Sequence, residues 1–87
     1  MARWRTIHRK DSTHDALREA AEAVGAQFLS IDGVIDGLIF YRGKTFLVDF
    51  KGPKTKLTDK QQELVDLGWP IHFLRTEDEL MAMLRAA

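Results

Sequence analysis

Blocks of apolar and polar residues follow one another along this chain, and the period of each block predicts an element. From Asp11 to about Val24, the residues Ala16, Leu17, Ala20, Ala21 and Val24 recur at helical spacings and mark one apolar stripe. Asp11 or Ser12 is placed to cap this helix, Ser12 with Asp15 resembles a capping box, and Gly25 stands just past the end. Gln27–Ile31 predicts a short strand, and Asp32-Gly33 turns the chain. Leu38–Tyr41 and Thr45–Phe50 are aromatic and β-branched runs around Arg42-Gly43-Lys44, the pattern of a β-hairpin. Side chains alternate along a strand, so Phe46, Val48 and Phe50 share one face and are expected in the core. Asp49 and Lys51 share the other face.

Gly52-Pro53 ends the second hairpin strand, and Lys54–Lys56 form a basic loop. Thr58 opens a helix to about Leu67, with Gly68 beyond it; Thr58 and Gln61 fit a capping box. Pro70–Arg75 predicts a fourth strand, with Ile71 and Phe73 on one face and His72 on the other, without an obvious partner. Thr76 with Glu79 caps a last helix whose Leu80, Met83 and Leu84 turn inward. The order α-β-β-β-α-β-α predicts an α/β domain, a sheet with helices on its faces. With no repeat, low-complexity tract or linker, the 87 residues read as a single domain. Met1–Lys10 is a basic arm that Trp4 and Ile7 could pin to the body.

Charge changes this picture locally. Thirteen basic and thirteen acidic residues cancel, so no global field draws the chain to nucleic acid. Yet Arg3, Arg5, Arg9 and Lys10 gather in the arm, and Arg42, Lys44, Lys51, Lys54, Lys56 and Lys60 in and after the hairpin. Such patches can track phosphates, or they are ordinary solubilising charge. The absence of cysteine excludes disulfides and thiolate metal sites. No apolar stretch is long enough to span a membrane, and no apolar segment follows the basic N-terminus as in a secretory signal, so a cytoplasmic location is expected.

The hairpin also brings chemistry together. Asp36 stands where its first strand begins, which in an antiparallel pair lies beside the end of the second, at Asp49 and Lys51. Two carboxylates with a backbone carbonyl nearby form an oxygen-rich site for a hard divalent cation such as Mg²⁺. A neighbouring lysine could hold a water and neutralise charge building on a phosphate. The same residues would otherwise form a surface ion pair on a solvated strand face. Asp11, His14 and Arg18 share a flank of the first helix; His14 is either a site residue or an exposed helix histidine. Gln61 is either a cap or a functional residue.

Asp36, twelve intervening residues, then Asp49-Phe50-Lys51 resembles the signature of the PD-(D/E)XK nuclease superfamily. Leu57-Thr58-Asp59-Lys60-Gln61 after that strand is similar to the Leu-Thr-x-x-Gln stretch of its virus-type replication–repair nuclease (VRR-NUC) group. Arg9-Lys10-Asp11, the polar His14, Gly25 and the turn Tyr41–Thr45 resemble its small phage members. Ile35 replaces the proline usual before the first aspartate, and Asp49 the more frequent glutamate. The resemblance covers about Arg9 to Leu80. It implies a restriction-endonuclease-like αβββαβ core with a mixed four-stranded sheet, plus a C-terminal helix. It further implies a metal-dependent DNA endonuclease of viral or mobile-element type. Asp36, Asp49 and the Phe50 carbonyl would hold Mg²⁺ or Mn²⁺, Lys51 would position or activate the water, and Gln61 would touch a metal-bound water or the phosphate. Asp11 and His14 would line the site, and Arg9, Lys10, Lys54, Lys56 and Lys60 would meet DNA. One site per copy and a small surface favour a symmetric homodimer, with Trp4, Trp69 or Met81 as candidate anchors; two sites at fixed separation suit four-way junctions, and the resemblance points the same way. The competing readings are a nucleic-acid-binding module of the same fold without catalysis, and an interaction protein whose trio is a surface ion pair.

Overall fold

Two residues close the central hairpin. Arg42 and Gly43 both take positive φ, 53° and 81°, as a type I′ turn requires. Gly43 adopts this without strain, whereas Arg42 lays its guanidinium 5.2 Å from the Tyr41 ring centroid. Lys44, expected in the turn, therefore belongs to the strand and pairs with Tyr41.

The computed structural model describes residues 12–86. The elements are α1 (Ser12–Ala23), β1 (Gln27–Ser30), β2 (Gly37–Tyr41), β3 (Lys44–Phe50), α2 (Asp59–Asp66), β4 (Ile71–Leu74) and α3 (Glu77–Arg85). This is the expected α/β order, with a mixed four-stranded sheet flanked by three helices, the last of them C-terminal. The sheet order is β1-β2-β3-β4. The first three strands are antiparallel, while β4 runs parallel to β3. Parallel neighbours need a crossover, which α2 supplies. The arm with Trp4, Ile7, Arg9, Lys10 and Asp11 lies outside the described residues, and so does the side-chain cap expected at Asp11 or Ser12.

Both downstream capping boxes form: Thr58 with Gln61, and Thr76 with Glu79. Gly25 and Gly68 take φ of 94° and 102° just past α1 and α2, the left-handed step that ends a helix. α1 and α3 pack on each other and on one sheet face. The core there joins Leu17 and Ala21 to Leu80, Met83 and Leu84, and to Ile39, Val48, Phe50 and Leu74. The stripe expected on α1 is narrower than its spacing suggested, since Ala16 and Val24 are exposed. Phe46 is partly buried against this core.

Parallel register decides β4. Val48 faces His72 and Phe50 faces Leu74, and laterally paired residues share a face. His72 therefore has a partner after all: its ring meets Phe46 edge-on, centroids 5.5 Å apart. Burial there lowers the imidazole pKa below its ordinary value. Ile71 and Phe73 share the opposite face with Leu47 and Asp49.

Gly37 is fixed by close approach. A Cβ there would overlap the Leu29 carbonyl and lie 2.9 Å from the Phe28 ring. Gly37→Ala is expected to cost about 1–3 kcal/mol, the usual range for overpacking. A urea midpoint equal to that of the unsubstituted chain would refute this.

Candidate functional site

The site arises where β2 stops short of β3. Their pairing begins at Gly37 opposite Val48, so Asp49 and Phe50 extend past the start of β2. The Phe50 N–H would then be an orphan donor on that edge. Asp36 supplies the acceptor: Phe50 N–H donates to Asp36 Oδ2 at 2.8 Å. In return the Asp36 N–H donates to Asp49 Oδ1 at 2.9 Å. Side chains thus continue the ladder, and the two carboxylates are tied to one point. The N–H and C=O of one strand residue point to the same edge, so the Phe50 carbonyl faces the edge that Asp36 occupies.

Lys51 lies past the end of β3, and its N–H donates to the Leu74 carbonyl at 2.9 Å. Its ammonium is 3.1 Å from Asp49 Oδ2, and the two side chains are only 7% and 8% exposed. That burial removes the reading of a pair on a solvated strand face. Burial and the nearby Asp36 raise the Asp49 pKa above its ordinary value, against the opposing pull of Lys51 and Gln61. Two acids held this close resist joint ionisation, and a cation between them would relieve that. The donor set suits a hard divalent ion. Asp36 Oδ1 carries no hydrogen bond among the described residues. Each Asp49 oxygen has two lone pairs, only part of which are used.

Gln61 serves two ends. Its side-chain oxygen accepts the Thr58 N–H at 3.1 Å, closing the cap. Its amide nitrogen donates to the Val34 carbonyl at 2.8 Å. The amide also lies against Asp49, where it favours the ionised form. Cap and site position are therefore compatible, because they use different atoms of one side chain.

His14 approaches the hairpin from α1, against Phe50. Its ring packs edge-on against Phe50, centroids 5.0 Å apart, and against Phe28 at 6.1 Å. It is half-buried, not the exposed histidine of the bland reading, and it sits on the face covered by α1. Among the described residues no group of three His, Asp or Glu converges. Lys54 and Lys56 are exposed on the loop after Lys51. Lys60 is exposed on α2, 3.5 Å from Glu63, a surface pair of little weight. Arg75 escaped the sequence reading. Its Nη1 donates to the Gly52 carbonyl at 2.6 Å, and an arginine ending a predicted strand carries no signal of such a contact.

No helix among the described residues is long and apolar enough to cross a membrane. No protein-family model, curated protein or solved structure matches this chain.

Proposed function

We propose that this chain is a metal-dependent DNA endonuclease of the PD-(D/E)XK type, close to the VRR-NUC group. The observation that carries the reading is the buried Asp36–Asp49–Lys51 cluster, with the Asp49 pKa raised by burial and by Asp36. A stabilising surface pair has no need of two adjoining acids, whereas a cation site does. Asp36, Asp49 and the Phe50 carbonyl would hold Mg²⁺ or Mn²⁺. Such an ion lowers the pKa of bound water and offsets charge on a phosphate.

The chain's own groups divide the remaining work. In hydrolysis the water oxygen bonds to phosphorus and gives up one proton, the bond to one sugar oxygen breaks, and that oxygen takes up one proton, so none is gained or lost overall. Lys51 Nζ stands 3.1 Å from Asp49 Oδ2. It orients the water and meets the negative charge that builds on the phosphate oxygens. The Gln61 amide is the smallest of the pulls that oppose the raised Asp49 pKa, and it borders the place a water or phosphate would take. Exposed Lys54 and Lys56 next to the site, together with Arg9, Lys10 and Lys60, would follow the DNA backbone. Their release of counterions would make binding salt-sensitive.

Incubation with plasmid and four-way junctions, in Mg²⁺ or in EDTA, tests this. Nicking only with the metal is expected. A gel shift without cleavage in Mg²⁺ or Mn²⁺ would instead favour the binding module, and neither would leave an interaction protein.

The homodimer belongs to the same proposal, and the open sheet face supports it. On the side away from α1 and α3, the strand positions Gln27, Leu29, Leu38, Phe40, Thr45, Leu47, Ile71 and Phe73 carry no charge, and Asp49 is the exception. Leu29 and Phe40 are 62% and 48% exposed, and Trp69 before β4 is 53% exposed. Aromatic residues without charge mark the centre of an interface. Met81 is partly buried against the core; Trp4 lies outside the described residues. Phe40→Glu is expected to convert a dimer to a monomer at micromolar concentration in light scattering. A monomeric unsubstituted chain would remove the dimer. Equal cleavage of linear duplex and junctions at matched salt would remove the junction preference.

A further inference from the structure

We infer that Arg75 is a second phosphate-binding cation of this site, seated beside Lys51 and steadied by the Gly52 carbonyl. This rests on the nuclease reading and adds a residue outside the Asp36–Asp49–Lys51 motif. The placement comes from register. Phe50 pairs with Leu74, and the bond from the Lys51 N–H to the Leu74 carbonyl carries the parallel ladder one residue further. Lys51 and Arg75, each one residue past its strand, are then the next lateral positions of that ladder. Alternation puts Arg75 on the face shared by Asp49, Lys51 and Phe73, and Lys51 Nζ lies 6.0 Å from the Phe73 ring centroid.

The charge of Arg75 is not consumed where it sits. Arg75 is half-buried, and no carboxylate pairs with its guanidinium among the described residues. Glu79 accepts the Arg75 backbone N–H, not the side chain. Of five guanidinium donors, one is used on Gly52. That carbonyl also accepts the Thr55 N–H at 3.2 Å, so Arg75 grips the loop from which Lys54 and Lys56 project.

Charge balance gives this cation a task. Two carboxylates and the Lys51 ammonium leave the motif at minus one, and a divalent ion would bring it to plus one. Hydroxide attack on a phosphodiester builds two negative charges at phosphorus. Arg75 makes the site plus two, the matching value, and its planar fork suits two phosphate oxygens at once.

The test uses R75M and R75K in the full chain, with three measurements. Turnover at saturating junction DNA should fall about 10²-fold in R75M, as for loss of one electrostatic stabiliser. R75K should recover only part, since an ammonium lacks the fork. Mn²⁺ affinity by calorimetry should stay within about twofold in both, because the metal's ligands are untouched. In EDTA, the slope of log affinity against log salt should fall by about one in R75M and stay unchanged in R75K. Unsubstituted turnover in both variants, whatever their melting temperatures, would reduce Arg75 to a loop clamp and overturn the inference alone. Matched losses of turnover and Mn²⁺ affinity would overturn it too, by showing a general collapse of the site. If the unsubstituted chain binds no Mn²⁺ and cuts nothing, the nuclease reading falls, and this inference with it.

Discussion

Asp36→Asn is expected to abolish metal-dependent cleavage and Mn²⁺ binding while leaving the apo protein as stable as before, or more so. The side chain keeps its shape, and the amide oxygen can still accept the Phe50 N–H that Asp36 Oδ2 takes at 2.8 Å. What disappears is one of the two charges that would hold the cation. The same charge raises the Asp49 pKa, so its removal lets Asp49 ionise more easily beside Lys51. The sign for stability follows by linkage. The Asp49 pKa is higher folded than its ordinary 3.8. The folded chain therefore holds a proton that the unfolded chain has released, in the window above pH 3.8. Stability from this group is full below that window and is lost as pH rises through the folded value. Asp36→Asn narrows the window and lessens the loss, so its melting temperature at pH 7 should equal or exceed that of the unsubstituted chain. Asp49→Asn should abolish activity equally but melt lower, because it leaves the buried Lys51 ammonium without its counter-charge. Calorimetric Mn²⁺ titration, cleavage assays and melts at pH 4 and 7 check both. Cleavage at the unsubstituted rate in both variants would refute the site.

Lys51→Ala carries the second large effect, on two observables at once. Turnover should drop about 10²-fold or more, whereas DNA affinity should change far less, since Lys54 and Lys56 still meet phosphates. Stability should drop as well. The Asp49 carboxylate, 8% exposed, would lose its cation and remain beside Asp36. Stranding a buried charge in this way costs about 3–5 kcal/mol. Without Lys51 the folded Asp49 pKa rises further, so the deficit should be largest at neutral pH and shrink as pH falls, vanishing only below 3.8, where the carboxyl is neutral in both states. Denaturant unfolding at pH 7 and pH 4 measures it. Equal falls in binding and cleavage would recast Lys51 as a simple phosphate contact. A stability deficit independent of pH would deny the buried pair its role.

Much of this was legible in the residues themselves. The sequence by itself determined the element order, the hairpin, both downstream capping boxes and the meeting of Asp36 with Asp49 and Lys51. These depend on period, on caps three residues long and on a tight turn, all of which act over short separations. Even the misplaced Lys44 was a question of turn length. The tertiary structure decided what lies against each face. Alternation put Asp49 and Lys51 together, and the α2 crossover and β4 brought Gln61 against Asp49 and Phe73 near Lys51. Parallel pairing with β4 turned His72 toward Phe46 and brought Arg75 to the Gly52 carbonyl. The packing of α1 carried the His14 ring against Phe50. A strand's pattern says which residues share a face. It cannot say which distant segment covers that face, because a parallel partner is chosen across a crossover by the packing of the whole chain.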